Sequence, residues 1–272
     1  MKRARPAKLS LAEQTGIAAI LVAALLLPIA AWLSVIPLFG FLLACVVAPF
    51  VPKFGFFLDI VSRGNSSRKA VALSFDDGPD PASTPYLLKL LTQKEIRATF
   101  FMVGQKARSN QDIVGMVLEK GHSIGNHSYS HAPFLMLKSS RKLKEEIRVT
   151  QEALHPLGVA PLAFRPPVGI TNPRLKKVLA DLGMYAVNFT HRSADLGNRH
   201  IRGLAQRILK RVQAGEIIVL HDTRPKYPQE LNQWLEEIER LISGIKAKGL
   251  SIVPLEELIG RSVMAEKNRT SR

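Results

Sequence analysis

Ala70-Val71-Ala72-Leu73-Ser74-Phe75-Asp76-Asp77-Gly78-Pro79-Asp80 is an apolar run that ends in two adjacent carboxylates before a Gly-Pro turn. It reads as a buried strand with ionisable groups at its C-terminal end. Working outward, the same pattern predicts further strands at residues 98–103, 122–126, 162–165, 184–189, 216–220 and 250–254. Helical stretches alternate with them. Thr84-Pro85 and Asn172-Pro173 each read as an N-cap followed by Pro in the first turn. Gly121, Gly183, Gly215 and Gly249 stand where a helix stops before the next strand. Residues 229–248 form the longest expected helix, with Leu231, Leu235, Ile238, Leu241, Ile242 and Ile245 on one face. Seven strands alternating with helices imply a parallel sheet covered by helices. Asp76-Asp77, His127, Arg165 and His221 fall at the ends of four different strands. That spread favours a barrel, incomplete with seven strands, over an open sheet with a single switch point.

Each strand end offers chemistry and a plainer alternative. Adjacent residues in a strand point to opposite sides, so Asp76 and Asp77 can serve different tasks if the chain bends there; otherwise they are turn caps. His127 and His131 are spaced i,i+4 and share one face if the segment is helical, a geometry that grips one metal ion. A carboxylate from Asp76-Asp77 completes a two-His, one-carboxylate set; the alternative is two surface histidines. Arg165, ahead of the stiff Pro166-Pro167 turn, can pair with a carboxylate or stand alone on the surface. His221, taken singly, reads as a hydrogen-bonded structural histidine just past a buried strand.

The N-terminal region is of a different kind. Between Gln14 and Pro52, 39 residues carry no charge and no histidine. As one helix they would extend roughly 58 Å, nearly twice the ~30 Å hydrocarbon core. Pro28, Pro37 and Gly40 offer breaks, so the segment reads as one span with an interfacial stretch or as a short hairpin, its loop near Ser34 to Pro37. Basic residues flank both ends, which favours a hairpin with both ends cytoplasmic, whereas a single span places the rest outside. Within the whole chain of 272 residues, 46% are hydrophobic and 22% charged, which excludes wholesale disorder and collagen-like repeats. Cys45 is the sole cysteine, so no intramolecular disulfide or cysteine-rich zinc finger forms. The net charge of +16 is diffuse: +3 in residues 1–13, +3 in 261–272 and the rest between 53 and 260. Such a field suits anionic lipid or a phosphate-bearing substrate as well as nucleic acid, and with no nucleic-acid motif present no such partner is expected.

Together the motifs resemble the polysaccharide deacetylase family (NodB-homology domain, carbohydrate esterase family 4). The elements, in order, are Ser74–Pro79, His127–His131, Arg165–Gly169, the Asp195 region and Leu220-His221. The resemblance implies a distorted (β/α) barrel and a hydrolase acting on the amide of an N-acylated amino sugar. It implies Asp76 as general base and Asp77, His127 and His131 as ligands of a divalent metal ion, Zn2+ foremost, with Co2+, Ni2+ or Mn2+ also accepted. Arg165 would position Asp76, Asp195 would orient His221, and His221 would protonate the leaving amine. A backbone N–H near Val168 would help to hold the oxyanion. The chain departs from the common pattern with Val168 in place of Tyr and with Leu196 after Asp195 in place of Trp. Tyr129 is the aromatic that could stand in as a sugar-facing wall. His191 and His200 lie close enough in sequence to Asp195 to share its task.

The expected organisation is a basic tail (1–13), a membrane segment (14–52), a linker (53–67), the deacetylase domain (68–260) and a basic C-terminal tail (261–272). The expected protein sits in a cell membrane of bacterial inner-membrane type, with membrane lipid and an N-acylated amino-sugar glycan, polymeric or lipid-linked, as partners. The alternative is a non-catalytic carbohydrate-binding protein on the same fold, which would have no need of all six ionisable groups.

Overall fold

The computed structural model describes residues 9–51, 53–192, 195 and 197–266. Its strands are β1 (Ile60–Val61), β2 (Ala70–Asp76), β3 (Thr99–Met102), β4 (Ser123–Asn126), β5 (Val159–Pro161), β6 (Ala163–Phe164), β7 (Tyr185–Val187), β8 (His191–Arg192), β9 (Ile217–His221), β10 (Ser251–Ile252) and β11 (Met264–Glu266). The helices are α1 (Leu11–Leu26), α2 (Ala31–Val47), α3 (Thr84–Gln93), α4 (Gly104–Ser109), α5 (Gln111–Glu119), α6 (Ser140–Leu154), α7 (Pro173–Asp181), α8 (Leu204–Leu209), α9 (Leu231–Ala247) and α10 (Leu255–Ile259).

A parallel sheet runs in the order β1-β7-β6-β4-β3-β2-β9-β8, with β10 added against β2. Each of the seven expected strands is present within a few residues of its predicted bounds. The sheet curls into a distorted barrel. Its seam is crossed beyond β1, where Arg63 bridges to Glu216 and the Thr190 hydroxyl donates to the Ser62 carbonyl at 2.7 Å.

Strand β2 shows how sequence places the chemistry. Every residue in it is buried. Val71, Leu73 and Phe75 join the outer core beneath the helices, whereas Ala70 and Ala72 join the inner core with Phe101, Ala163, Val187 and Val219. This is the period of two in a strand covered on both faces. Small residues on the inner face leave room in the lumen, and the same alternation continues through Ser74 to Asp76.

The caps largely follow expectation. The Asn172 side chain accepts from the Leu175 N–H at 2.9 Å, and Gly121, Gly183, Gly215 and Gly249 all take positive φ. Thr84 differs: Ser83 precedes the helix, and the Thr84 hydroxyl instead donates to the buried Asp222 carboxylate at 2.7 Å.

The apolar N-terminal run folds as two antiparallel helices. The turn falls at residues 27–30 instead of Ser34 to Pro37, both of which lie inside α2. Pro28 thus makes the break. Small residues Gly16, Ala19 and Ala23 line the buried face of α1, and the Phe41 ring covers Gly16 so closely that an added Cβ would lie 2.9 Å from it. Small residues at such a contact let two helices approach closely. Helix α1 starts at Leu11 behind a Ser10–Glu13 capping box, inside the stretch read as a basic tail. Residues 31–50 are long and apolar enough to cross a membrane; α1, with 16 residues, is shorter.

Two further boundaries shift. Within residues 53–67, read as a linker, Phe56, Phe57 and Leu58 are buried and β1 joins the sheet, because this segment closes the core over α7. The C-terminal body does not stop at 260 either. Val263 is buried, its carbonyl accepts from the Leu162 and Ala163 N–H groups, and β11 pairs with β5.

Candidate active site

The C-terminal ends of β2, β4, β6 and β9 open on a cleft of about 600 Å³. Asp76, Asp77, His127, His131, Asp195 and His221 all line it, joined by Val168, Phe189 and Arg199. Asp76 ends β2 pointing inward and is buried. Asp77 takes φ 72°. That left-handed turn breaks the strand alternation, so two neighbouring carboxylates face the same space. A Gly at position 78 is required by a close approach: any Cβ there would lie 2.4 Å from an Asp222 carboxylate oxygen.

The histidine pair converges without a helix. Residues 127–131 are a loop in which Ser128 (φ 65°) and His131 (φ 51°) are both left-handed. Buried Glu146 on α6 holds it, accepting from the N–H groups of Tyr129 (3.1 Å) and Ser130 (2.8 Å) and from the Ser130 hydroxyl (2.9 Å). The Asn126 side chain accepts from the Ser128 N–H at 2.9 Å. The rings end 4.9 Å apart between centroids.

Asp77 Oδ1 lies 3.4 Å from His127 Nε2 and 3.2 Å from His131 Nε2. His127 Nδ1 lies 2.8 Å from the Arg165 carbonyl oxygen, which fixes that nitrogen as a donor and turns Nε2 toward Asp77. Asp77 Oδ1 is buried and without a hydrogen-bond donor. An orphaned carboxylate oxygen and two imidazole nitrogens facing one point are the donor set that a divalent cation of the Zn2+ type takes, so the residues fit such an ion. Burial pushes the Asp77 carboxyl up, but the imidazoles of His127, His131 and His221, His127 foremost, overcome it and hold it well below the ordinary carboxylate range. His131 is pulled down by burial and by its neighbour His127.

Arg165 is not a surface residue. It is fully buried, with Nη1 donating to Asp76 Oδ1 at 2.6 Å and to the Ser74 hydroxyl at 2.8 Å, and Nη2 donating to the Asn188 carbonyl at 3.2 Å. Its guanidinium lies over the Phe101 ring at 3.9 Å. Asp76 Oδ2 in turn lies 3.8 Å from His127 Nε2. Across the cleft, His221 Nδ1 lies 2.7 Å from Oδ1 of the buried Asp195. Burial lowers the His221 pKa, but Asp195 more than offsets it and carries the imidazole up to about 9.

Two expectations resolve differently. The Tyr129 ring packs against Gly104 outside the cleft; Phe189 is the aromatic that lines it. His200 is exposed just after the turn at 197–199 and does not line the cleft, and the side chain of His191 lies outside the described residues, as does Leu196. Glu146 and Asp222 were missed. Glu146 reads as one more polar position on an amphipathic helix. Asp222 is fully buried, accepts from Ser83 at 3.1 Å and Thr84 at 2.7 Å, and is pushed up to about 7 by burial against those hydrogen bonds. Only its place beside His221 hinted at a role.

The polysaccharide deacetylase family pattern matches residues 63–187. A peptidoglycan-N-acetylglucosamine deacetylase of Bacillus cereus is 32% identical over 196 residues, covering 71% of this chain and 90% of its own. A chitooligosaccharide deacetylase of Sinorhizobium fredii is 29% identical, covering 74% and 97%. A crystal structure of a peptidoglycan N-acetylglucosamine deacetylase bound to an N-hydroxybenzamide superposes with a TM-score of 0.69 at 30% identity, over 75% of this chain and 94% of that one.

Proposed function

The chain belongs to the polysaccharide deacetylase family, and from that premise we propose a membrane-anchored, metal-dependent hydrolase that removes the N-acetyl group from N-acetylglucosamine in a glycan. The observation that carries the reading is the convergence of Asp77 Oδ1 on the Nε2 atoms of His127 and His131, 3.4 and 3.2 Å away. These three residues would hold the cation. When bound, such an ion polarises an amide carbonyl and lowers the pKa of bound water.

The chain's own residues supply the rest. Asp76 is the base: its carboxylate faces the cleft, and the Arg165 guanidinium, 2.6 Å away, aims it. Val168, with φ 59°, brings the backbone of the Pro167–Gly169 segment to the cleft rim, where a backbone N–H would help to hold the developing oxyanion. An amine leaves only once protonated. His221, held as imidazolium by Asp195, carries that proton on the opposite wall. Phe189 offers an apolar surface to the sugar or acyl group. The hairpin α1–α2 exposes apolar side chains throughout, among them Ile20, Leu25, Trp32, Phe39 and Leu42, and is the anchor.

The test is stoichiometry and product together. Purified full-length protein should retain about one divalent ion per chain and release free amine from N-acetylglucosamine oligomers or from a lipid-linked N-acetylglucosamine. Protein that binds no divalent metal and releases no amine from either class would refute the reading. A reporter fused at Arg272 reads the side of the membrane: a cytoplasmic body excludes mature cell-wall polymer and leaves the lipid-linked sugar.

A further inference from the structure

Outside residues 9–54, five large apolar or aromatic side chains are exposed among the described residues: Tyr86, Phe134, Leu137, Val168 and Tyr227. Two of these, Phe134 and Leu137, share one short 3₁₀ turn (Leu135–Leu137 with Phe134 as its cap), and they are 70% and 77% exposed. The turn is not loose. Leu135 and Met136 are buried, and the Met136 carbonyl accepts from the side chains of Asn172 (2.5 Å) and Arg174 (3.0 Å). A clamped backbone therefore drives two apolar side chains outward, against the cost of exposing them.

Its place in the fold indicates what covers them. Leu135 and Met136 belong to the core cluster that also takes in Ala12 and Ala48, the residues where the hairpin enters and leaves the body, together with Phe56 and Phe57. Ala12 N–H donates to the Phe56 carbonyl at 2.8 Å and Glu13 pairs with Lys176 on α7 at 2.8 Å, so the hairpin root is fixed to this face. Around the turn lie exposed cations: Lys138 and Arg141, which pair with no carboxylate among the described residues, and Arg174 and Lys177 on α7. Apolar knobs ringed by cations beside an apolar hairpin are complementary to the headgroup region of an anionic bilayer.

We propose that Phe134 and Leu137 are a second membrane contact, inserted into the anionic bilayer surface beside the hairpin. The contact rests on the reading of α1–α2 as a bilayer anchor. It begins three residues after His131, so it seats the His131 wall of the cleft at the lipid surface. A sugar tethered to lipid is presented at that height, whereas a soluble glycan gains nothing from it.

Bromine-labelled lipid tests both levels separately. The chain has two tryptophans, exposed Trp32 in the hairpin and fully buried Trp234, which α9 turns into the outer core. The full chain is reconstituted in vesicles of phosphatidylglycerol and phosphatidylcholine brominated near the headgroup end of the acyl chains. In the wild type, quenching of Trp32 reports the anchor. In W32F carrying F134W, insertion about 5–10 Å below the headgroups is expected to cost the new tryptophan roughly half of its emission. W32F carrying Y86W, on α3 beneath the other core cluster, should stay unquenched. A quenched Trp32 with an unquenched residue at 134 overturns the contact and leaves the anchor standing, and points to a protein or glycan on that turn instead. An unquenched Trp32 overturns the anchor and the contact with it, while amine release still decides the catalytic reading.

Discussion

Replacing Asp195 by Asn isolates the electrostatic link that the acid side of the cleft depends on. Burial alone would drive the His221 imidazole neutral, yet it stands at about 9 because Asp195 Oδ1 lies 2.7 Å from Nδ1, with the charges of Asp77 and Asp76 adding to it. A rise from 6.5 to about 9 corresponds to ~3.4 kcal/mol in favour of the imidazolium. Asn keeps the size and removes the charge, so His221 should fall most of the way back, toward 6.5 or below. An acid works only while protonated, so activity is present below its pKa and lost as pH rises through it. The basic limb of kcat should therefore move down from near 9, and at pH 8 the protonated fraction should drop about thirty-fold. The same sign applies to folding: the pair's stabilisation is complete below 6.5 and lost as pH climbs through 9, so the gap in Tm between wild type and D195N should close at high pH. The assay is amine release from an N-acetylglucosamine oligomer between pH 5 and 10, with metal content checked at each point. A basic limb that does not move in D195N would refute the assignment of Asp195 as the group that keeps His221 charged.

Four further substitutions separate the roles around the cleft. His127→Ala should weaken binding of the divalent ion by more than the ~10–100-fold that a merely supporting residue is worth, whereas Asp76→Asn should keep the ion and lose turnover; chelator competition distinguishes them, and loss of metal from D76N would exchange the base and ligand assignments. His221→Ala should slow amide hydrolysis by about 10²–10⁴-fold but spare an activated ester, whose leaving group needs no proton. Equal losses on both substrates would contradict the acid role. Glu146→Ala strips the acceptor from three donors in the 129–130 loop, and metal affinity should fall ~10–100-fold through the displaced His131. An unchanged affinity would show that the loop holds its shape without it.

The strands were legible because each carries its own signal: a buried run, a turn residue and an ionisable group where the run ends. Asp76, Asp77, His127, Arg165 and His221 stood out for that reason. What stayed hidden lies in tertiary contacts that leave no local trace. Nothing in the spacing of His127 and His131 tells a helix from a loop, and the loop is chosen by Glu146, 15 residues beyond His131 on a helix whose pattern reads as ordinary surface. Phe56 and Phe57 looked like linker because strand β1 is only two residues long, too short to show a period. Val263 and β11 likewise owe their order to β5, far away in sequence.

The positions with left-handed backbone concentrate at the cleft. Asp77, Ser128, His131, Val168 and Asn198 all have positive φ without being glycine, and each lies in or beside its lining. Such conformations cost on the order of 1–3 kcal/mol apiece unless the surroundings over-determine them. Here they do: Glu146 holds residues 128–131, Lys106 donates to the Asp77 carbonyl at 2.7 Å, and the Asn198 side chain donates to the carbonyls of His221 and Thr223. A strand would send Asp76 and Asp77 to opposite faces and a helix would carry His131 along a rigid axis. Only single left-handed residues let four strand ends aim their side chains at one point. The strain and the buried charges are therefore a consequence of assembling this site on a parallel barrel, and the buried clamps Glu146, Arg165 and Asp222 are what the remainder of the fold contributes to keep it assembled.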